Sequence, residues 1–355
     1  MNFFSKKQKI GVGIDIGTTT VKAVQLEKSQ NQIFLTNYAI LESLGKTNQM
    51  THVLQTSSSN LLDSELVEYL HTLKEKVKFK TNRVHVSLPG FSAFTTLLEI
   101  PKMSQGGTTE AVTSHAEQYI PLPLTTVNLD WIKVGEGENA EGKKVQYIFL
   151  VSIPNEKIET YTQIFHKAGF IVESIEVENI SAARALTYGD TKAQLIIDIG
   201  GRSTNITAAK NGVAMFSGQT DFASNSLTQS LSKALTISPI RAEKMKRLAN
   251  IVDNPGSHEL STALIPIIDV ILKESDRIKQ GFERIYKEKI ALVSLTGAGS
   301  QMPGFPQYIY KKLGVGVVHN NGLQAISVSD KLRTIKPPIA TTLTIATGLA
   351  LKELI

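Results

Sequence analysis

Two stretches that share one order of residue types decide the fold of this chain. Residues 13–22 read Gly-Ile-Asp-Ile-Gly-Thr-Thr-Thr-Val-Lys, and residues 196–206 read Ile-Ile-Asp-Ile-Gly-Gly-Arg-Ser-Thr-Asn-Ile. With Asp15 aligned on Asp198, each copy has an apolar strand, Asp-Ile-Gly, a hydroxyl-bearing turn and a second apolar strand. The interval between the copies is too long for a solenoid repeat. This internal repeat therefore predicts two related domains in one chain.

Each copy has the composition of a phosphate-binding β-hairpin. The strand ends in an aspartate that points into a cleft, and the glycine lets the backbone turn close to a ligand. The hydroxyls and consecutive backbone N–H groups of the turn form an anion-binding concavity. One copy alone is as well explained by an ordinary polar turn. Two copies, each opening one half of the chain, indicate a polyphosphate clamp in which Asp15 and Asp198 hold Mg²⁺ through water.

A third element follows both hairpins in the chain. Residues 292–296 read as a buried strand, and Gly297-Ala298-Gly299-Ser300 comes directly after it. Small residues at this point leave room for a flat adenine against the backbone. By itself the segment is equally well explained as a Gly-rich loop between a strand and a helix. Its position after two phosphate hairpins favours an adenosine-binding loop.

Composition excludes several classes of protein. The 355 residues include no cysteine, which rules out disulfides and thiolate metal sites. No signal-peptide core follows the N-terminus, and no apolar run reaches the roughly 18 residues of a membrane span, so we expect a soluble cytoplasmic protein. The net charge is +6, with basic stretches at 74–83 and 241–247. Both stretches contain glutamate and lack interleaved aromatics, so we interpret them as solvated helix faces and predict no nucleic-acid partner.

Strand and helix patterns alternate along the whole chain, which predicts an α/β fold. With the two hairpins and the adenosine loop, this order resembles the superfamily of actin, the heat-shock chaperones and the sugar kinases. The resemblance covers nearly the whole chain and implies two lobes with Mg-ATP between them. It assigns the following residues to the nucleotide: Asp15, Gly17, Thr18, Thr19, Thr20, Lys22, Asp198, Gly200, Gly201, Arg202, Ser203, Thr204, Glu243, Lys244, Gly297, Ala298, Gly299 and Met302.

The resemblance also implies roles for three helices. Residues 178–186 and 345–351 look like the two helices that connect the lobes, and residues 241–244 look like the helix that brings Glu243 and Lys244 to ribose and adenine. Glu178 occupies the position from which superfamily ATPases orient the attacking water. A helix-capping or surface carboxylate is the alternative for Glu178. Slow ATP hydrolysis, or none, is compatible with the sequence.

Two positions depart from the superfamily pattern. Ala298 stands where glycine is common, and a positive φ there would strain it by roughly 1–2 kcal/mol. Arg202 is larger than the small residue that is usual in the second hairpin. It either reaches a phosphate or faces solvent.

Residues 87–131 indicate the member of the superfamily. They contain Leu88-Pro89-Gly90, Glu99-Ile-Pro-Lys-Met103 and Ala116-Glu-Gln-Tyr-Ile-Pro-Leu-Pro123. This segment resembles the PilM family of type IV pilus assembly proteins. The resemblance implies an inserted subdomain that the cell-division protein FtsA shares. It implies these subdomains: 1–83 with 173–192 (1A), 84–172 (the inserted 1C), 193–224 with 290–355 (2A) and 225–289 (2B).

The PilM resemblance implies a cytoplasmic scaffold at the inner face of the membrane. Its partner would be the N-terminal cytoplasmic peptide of PilN, bound between subdomains 1A and 1C, with residues 84–130 forming one wall. PilO and the pilus motor platform would be indirect partners. The chain would contact the membrane only through partner proteins. The sequence does not decide whether the chain associates with itself.

Two other functions stay open from the sequence. An FtsA-like filament former would carry a membrane helix after the fold, and we expect none here because the chain stops at Leu354-Ile355. A small-molecule kinase would need an aspartate base facing its substrate, for which no motif is recognisable.

Overall fold

The computed structural model describes residues 9–18, 20–30, 32–42, 63–139, 141–248, 250–251, 258–329, 332, 335 and 337–355. The strands are β1 Lys9–Ile16, β2 Thr20–Ser29, β3 Gln32–Glu42, β4 Arg83–Leu88, β5 Phe94–Pro101, β6 Val127–Glu138, β7 Lys144–Pro154, β8 Ile171–Val177, β9 Gln194–Ile199, β10 Thr204–Lys210, β11 Val213–Thr220, β12 Leu292–Thr296, β13 Val317–His319 and β14 Ser327–Val328. The helices are α1 Asp63–Val77, α2 Gln105–Tyr119, α3 Asn155–Lys167, α4 Glu178–Thr187, α5 Ser224–Ala234, α6 Pro239–Leu248, α7 His258–Tyr286, α8 Phe305–Leu313, α9 Pro337–Thr342 and α10 Thr344–Leu351. Within these residues, no helix combines the length and the apolar character needed to cross a bilayer.

Two large sheets repeat one strand pattern. The first lobe is built on a six-stranded sheet of order β14-β3-β2-β1-β4-β8, and the second on a five-stranded sheet of order β11-β10-β9-β12-β13. In each sheet an aspartate-ending strand, β1 or β9, pairs antiparallel with the next strand of the chain. On its other side it pairs parallel with a later strand, β4 or β12. The internal echo therefore corresponds to a duplicated sheet, as the sequence predicted.

A third, smaller sheet is inserted between β4 and β8. It has the order β5-β7-β6 and is antiparallel throughout. Helix α2 covers one face, where Ile100, Val112 and Ala116 lie in a common core. We call residues 94–154 the inserted sheet. The sequence assigned the wider range 84–172 to this unit, but β4 and β8 pair within the first sheet and α3 packs on that sheet's core.

The end of the chain returns to the first lobe. Strand β14 pairs with β3, and helix α10 packs on β1, β2 and α4. Strand β14 and helix α10 thus contact the first sheet, although the sequence analysis placed all of 290–355 in subdomain 2A. Helix α10 covers the predicted connecting helix at 345–351, and α9 is a separate helix before it.

Helices α4 and α10 cross with their backbones in contact. A Cβ added to Gly348 would lie 1.9 Å from the carbonyl oxygen of Ser181, so only glycine fits at this crossing. The pair lies between the two large sheets, because α4 also contacts β10 and β11 of the second lobe. This is the position that the resemblance implied for helices connecting the lobes.

Candidate functional site

The two hairpins have the same turn. In the first, the N–H of Gly17 donates to the carbonyl oxygen of Thr20 at 2.8 Å, and in the second the N–H of Gly200 donates to that of Ser203 at 3.0 Å. Thr18 and Thr20 are half-buried. Thr19 lies outside the described residues.

The tips of the two hairpins lie against each other at the junction of the lobes, which we call the cleft. A Cβ added to Gly201 would lie 3.8 Å from the Cβ of Thr18, so the tips are close neighbours. The first turn of α5 closes the second hairpin, because the N–H groups of Ser224 and Asn225 donate to the carbonyls of Gly200 and Gly201. Ser203 and Thr204 are buried, and the Thr204 hydroxyl donates to the carbonyl of Phe222 at 2.8 Å. The hydrogen of that hydroxyl is therefore already donated within the second lobe.

Asp15 is buried at the end of β1. Its carboxylate accepts a hydrogen bond from the Lys22 ammonium at 2.8 Å and another from the Ser87 hydroxyl at 2.7 Å. Burial alone would lower the pKa of Lys22, but Asp15, together with Asp198 and Glu178, raises it above the ordinary value. Lys22 is thus held as a cation among carboxylates.

Asp198 is buried at the equivalent end of β9. None of the described side chains donates a hydrogen bond to it. Burial raises the pKa of Asp198 to about 6, an effect that Lys22 opposes and Asp15 reinforces. An unsolvated carboxylate with a carboxylate neighbour is a position at which a cation would be stabilised.

Glu178, the first residue of α4, joins both lobes. One of its oxygens accepts the N–H of Gly90 at 3.1 Å and the Nδ2 amide of Asn205 at 2.8 Å. Burial, followed by the charges of Asp15 and Asp198, raises the pKa of Glu178 to about 8. Glu178 is half-buried and accepts from donors of both lobes, and its water-orienting role stays a prediction.

The cleft suits a hydrated divalent cation. Asp15, Asp198 and Glu178 are close enough to perturb one another, and carboxylate oxygens are the ligands that Mg²⁺ prefers. In the part of the chain that the structure describes, no three His, Asp or Glu side chains are grouped to chelate a metal directly. A magnesium ion here would complete its shell with water and phosphate oxygens.

The loop predicted to bind adenosine turns at Gly297, not at Ala298, where the sequence analysis considered a positive φ. Gly297 has φ +85°, and a Cβ there would lie 2.4 Å from Asp198 Oδ1. Ala298 begins a 3-10 turn without a positive φ and is exposed, so the strain expected at this residue is absent. Gly299 packs against Ile199, and Met302 is buried in the core of the second lobe. Met302 therefore supports the loop from beneath.

The buried amine on α6 is Lys246, whereas the sequence assigned Lys244. Lys246 is only 2% exposed, and its ammonium donates to Glu243 at 2.6 Å and to Thr228 at 2.9 Å. Burial lowers the pKa of Lys246, and Glu243 partly offsets this. Lys244 is exposed. The signal that identifies Lys246 is spacing, because residues three apart lie on one face of a helix and adjacent residues do not.

Arg202 contacts an aromatic ring, a partner that the sequence did not predict. Its guanidinium lies over the ring of Phe91, 4.3 Å from the ring centroid. Phe91 belongs to the turn between β4 and β5, so this is a contact between the second lobe and the entrance to the inserted sheet.

Comparison with known proteins decides the family. The profile described as "Type IV pilus assembly protein PilM" matches residues 13–354. The chain belongs to this family. A solved structure titled "PilM-PilN type IV pilus biogenesis complex" superposes with a TM-score of 0.79 at 20% sequence identity, covering 97% of this chain and 98% of that one.

More distant structures share the fold. The ethanolamine utilization protein EutJ from Carboxydothermus hydrogenoformans is 16% identical, with a TM-score of 0.53 over 96% of this chain and 89% of that one. MreB5 of Spiroplasma citri bound to AMPPNP is 13% identical, with a TM-score of 0.52 over 96% and 94%. At these identities the likeness shows the fold alone. The chain has the two-lobed actin-like fold with an inserted subdomain, as the sequence predicted.

Proposed function

We propose that the chain is a cytoplasmic, ATP-binding scaffold of the type IV pilus assembly platform, which binds the N-terminal cytoplasmic peptide of PilN. Membership of the PilM family supports the pilus assignment. The similar structure of a PilM-PilN complex supports PilN as the partner. The observation that carries ATP binding is the cleft itself, where two matching hairpins face each other beside buried carboxylates.

In this proposal each part of the cleft has one task. The hairpin N–H groups and the hydroxyls of Thr18, Thr20 and Ser203 bind the phosphates. Asp15 and Asp198 hold the waters of a bound Mg²⁺.

The remaining parts of the cleft recognise the rest of the nucleotide. Lys22 supplies positive charge next to the phosphates. Glu243 and Lys246 recognise the ribose and adenine beside the Gly297–Gly299 loop. The bound MreB5 structure, which carries AMPPNP, is a precedent for a nucleotide in this fold.

Hydrolysis is expected to be slow or absent. In the metal-free protein a carboxyl group with a pKa of about 8 is mostly protonated at pH 7, so Glu178 is a poor acceptor there for a proton from water. One oxygen of Glu178 is also occupied by two donors from the opposite lobe and the β4–β5 turn. Such a site suits retention of a nucleotide better than turnover, which favours a scaffold over a kinase.

The PilN peptide would lie between the first lobe and the inserted sheet. Strand β6 is an edge of that sheet, and an edge strand offers unpaired backbone groups to an extended peptide. Through PilN the chain would be peripheral to the inner face of the cytoplasmic membrane, with PilO and the motor platform as indirect partners. The division into subdomains 1A, 1C, 2A and 2B is likewise proposed, with residues 94–154 as 1C and 327–355 in 1A.

Calorimetric titration with ATP tests the cleft. Asp198→Asn should weaken ATP binding at least tenfold in Mg²⁺ and little in EDTA, because Asp198 acts through the metal. Asp190→Asn is the matched control, since Asp190 precedes the other end of β9. Equal affinities for the unaltered chain and Asp198→Asn in Mg²⁺ would refute the assignment of the cleft.

A further inference from the structure

The turn at residues 89–93 is the place where both lobes and the inserted sheet meet. It connects β4, whose Ser87 donates to Asp15, with β5, the first strand of the inserted sheet. The N–H of Gly90 donates to Glu178, which also accepts from Asn205 of the second lobe. A Cβ on Gly90 would lie 2.2 Å from Asn205 Oδ1. The turn is therefore packed directly against the strand that follows the second hairpin.

Phe91 and Arg202 form a cation–π contact at this junction. Both side chains are half-buried, and the guanidinium stacks on the ring. Among the described carboxylates, none forms an ion pair with Arg202. The cation of the second hairpin is thus held by an aromatic face, which binds a guanidinium more weakly than a phosphate does.

A nucleotide in the cleft would compete for this arginine. Arg202 directly follows Gly201, whose backbone faces Thr18 of the first hairpin. Phosphates held between the two hairpins would therefore lie next to Arg202. We propose that Arg202 is shared between Phe91 and the nucleotide phosphates, so that phosphate binding frees the 89–93 turn and changes the inserted sheet. This rests on the proposed function, because it requires that ATP binds.

The 89–93 turn is followed directly by β5, with no intervening loop. Strand β5 starts at Phe94, and the hydroxyl of Thr95 lies 3.0 Å from that of Ser217 on β11. Loss of the Phe91–Arg202 contact would therefore affect β5, the edge strand through which the inserted sheet contacts β11 of the second lobe. The occupancy of the cleft would reach the inserted sheet at β5, the edge opposite to β6, and linkage requires the effect of a peptide bound to that sheet to be reciprocal.

The test is a double-mutant cycle of ATP affinity in Mg²⁺, measured by calorimetry. Phe91→Leu should raise the affinity about 2- to 30-fold, the factor that corresponds to a cation–π contact of usual strength. Arg202→Gln should lower it roughly tenfold. In the Arg202→Gln background, Phe91→Leu should have no effect. Phe34→Leu is the control, since Phe34 is a half-buried phenylalanine on β3 of the first sheet, and it should leave the affinity unchanged.

Hydrogen exchange provides the second readout. Saturating Mg-ATP should raise the exchange rate of the amides of residues 90–97 in the unaltered chain and not in Arg202→Gln. This inference would be overturned if Phe91→Leu left the ATP affinity unchanged or lowered it. It would also be overturned if the exchange rate rose equally in the unaltered chain and in Arg202→Gln. Either result would leave the proposed function standing. No ATP binding by the unaltered chain would overturn both.

Discussion

Replacing Glu178 with glutamine should remove a pH-dependent loss of stability from the metal-free protein. Burial and the neighbouring charges of Asp15 and Asp198 raise the pKa of Glu178 from 4.5 to about 8. The unfolded chain therefore releases this proton near pH 4.5, whereas the folded protein keeps it until about pH 8. Between these values the folded state binds more protons, so the free energy of unfolding falls as the pH rises.

The magnitude follows from the two pKa values. Each pKa unit corresponds to about 1.4 kcal/mol, so Glu178 would cost the folded protein roughly 5 kcal/mol between pH 4.5 and pH 8. Glutamine is neutral throughout, and its side-chain oxygen can still accept from Gly90 and Asn205. Asp198, with a pKa of about 6, adds a loss at lower pH that both proteins share.

Urea denaturation between pH 5 and pH 8 in EDTA measures the effect, with circular dichroism as the signal. The midpoint of Glu178→Gln should rise relative to the unaltered chain as the pH increases. Glu159→Gln, a change at an exposed glutamate of α3, should follow the unaltered chain. Parallel profiles for Glu178→Gln and the unaltered chain would mean that Glu178 is not buried among like charges.

Two further substitutions test the adenosine side and the helix crossing. Lys246→Met should weaken ATP binding at least tenfold, because it leaves Glu243 without its buried cation, whereas the exposed Lys244→Met should bind normally; calorimetry distinguishes them. Gly348→Ala places a methyl group 1.9 Å from a carbonyl oxygen of α4 and should destabilise the protein by about 3 kcal/mol, seen as a lower melting temperature. Gly106→Ala, on α2 with no atom within 4 Å of the added Cβ, should not lower it.

The hairpins were predictable because their structure is local. An apolar strand, Asp-Ile-Gly and a hydroxyl-rich turn specify the fold of about ten residues. The equivalent hydrogen bonds of Gly17 and Gly200 show that both copies adopt it. The repeat then predicted the duplicated sheet. Because the same pattern begins each half of the chain, both halves are expected to form a sheet with the same strand connections.

Features that depend on distant contacts were missed. Helix α10 packs on the first sheet and meets α4 backbone to backbone, which only the folded chain reveals. The stacking of Arg202 on Phe91 joins residues from different lobes, so the local sequence left two other courses open for this arginine. Lys246, which the sequence analysis did not single out, lies three residues after Glu243 and therefore on the same face of α6, whereas the predicted Lys244 is exposed.

The most direct test of the scaffold is a calorimetric titration of the chain with the N-terminal cytoplasmic peptide of PilN from the same source, with and without Mg-ATP. We predict saturable one-to-one binding whose affinity differs between the two conditions, because the 89–93 turn connects the cleft with the inserted sheet. Absence of peptide binding in both conditions, with ATP binding established separately, would contradict the scaffold and leave a nucleotide-binding actin-like protein with another partner.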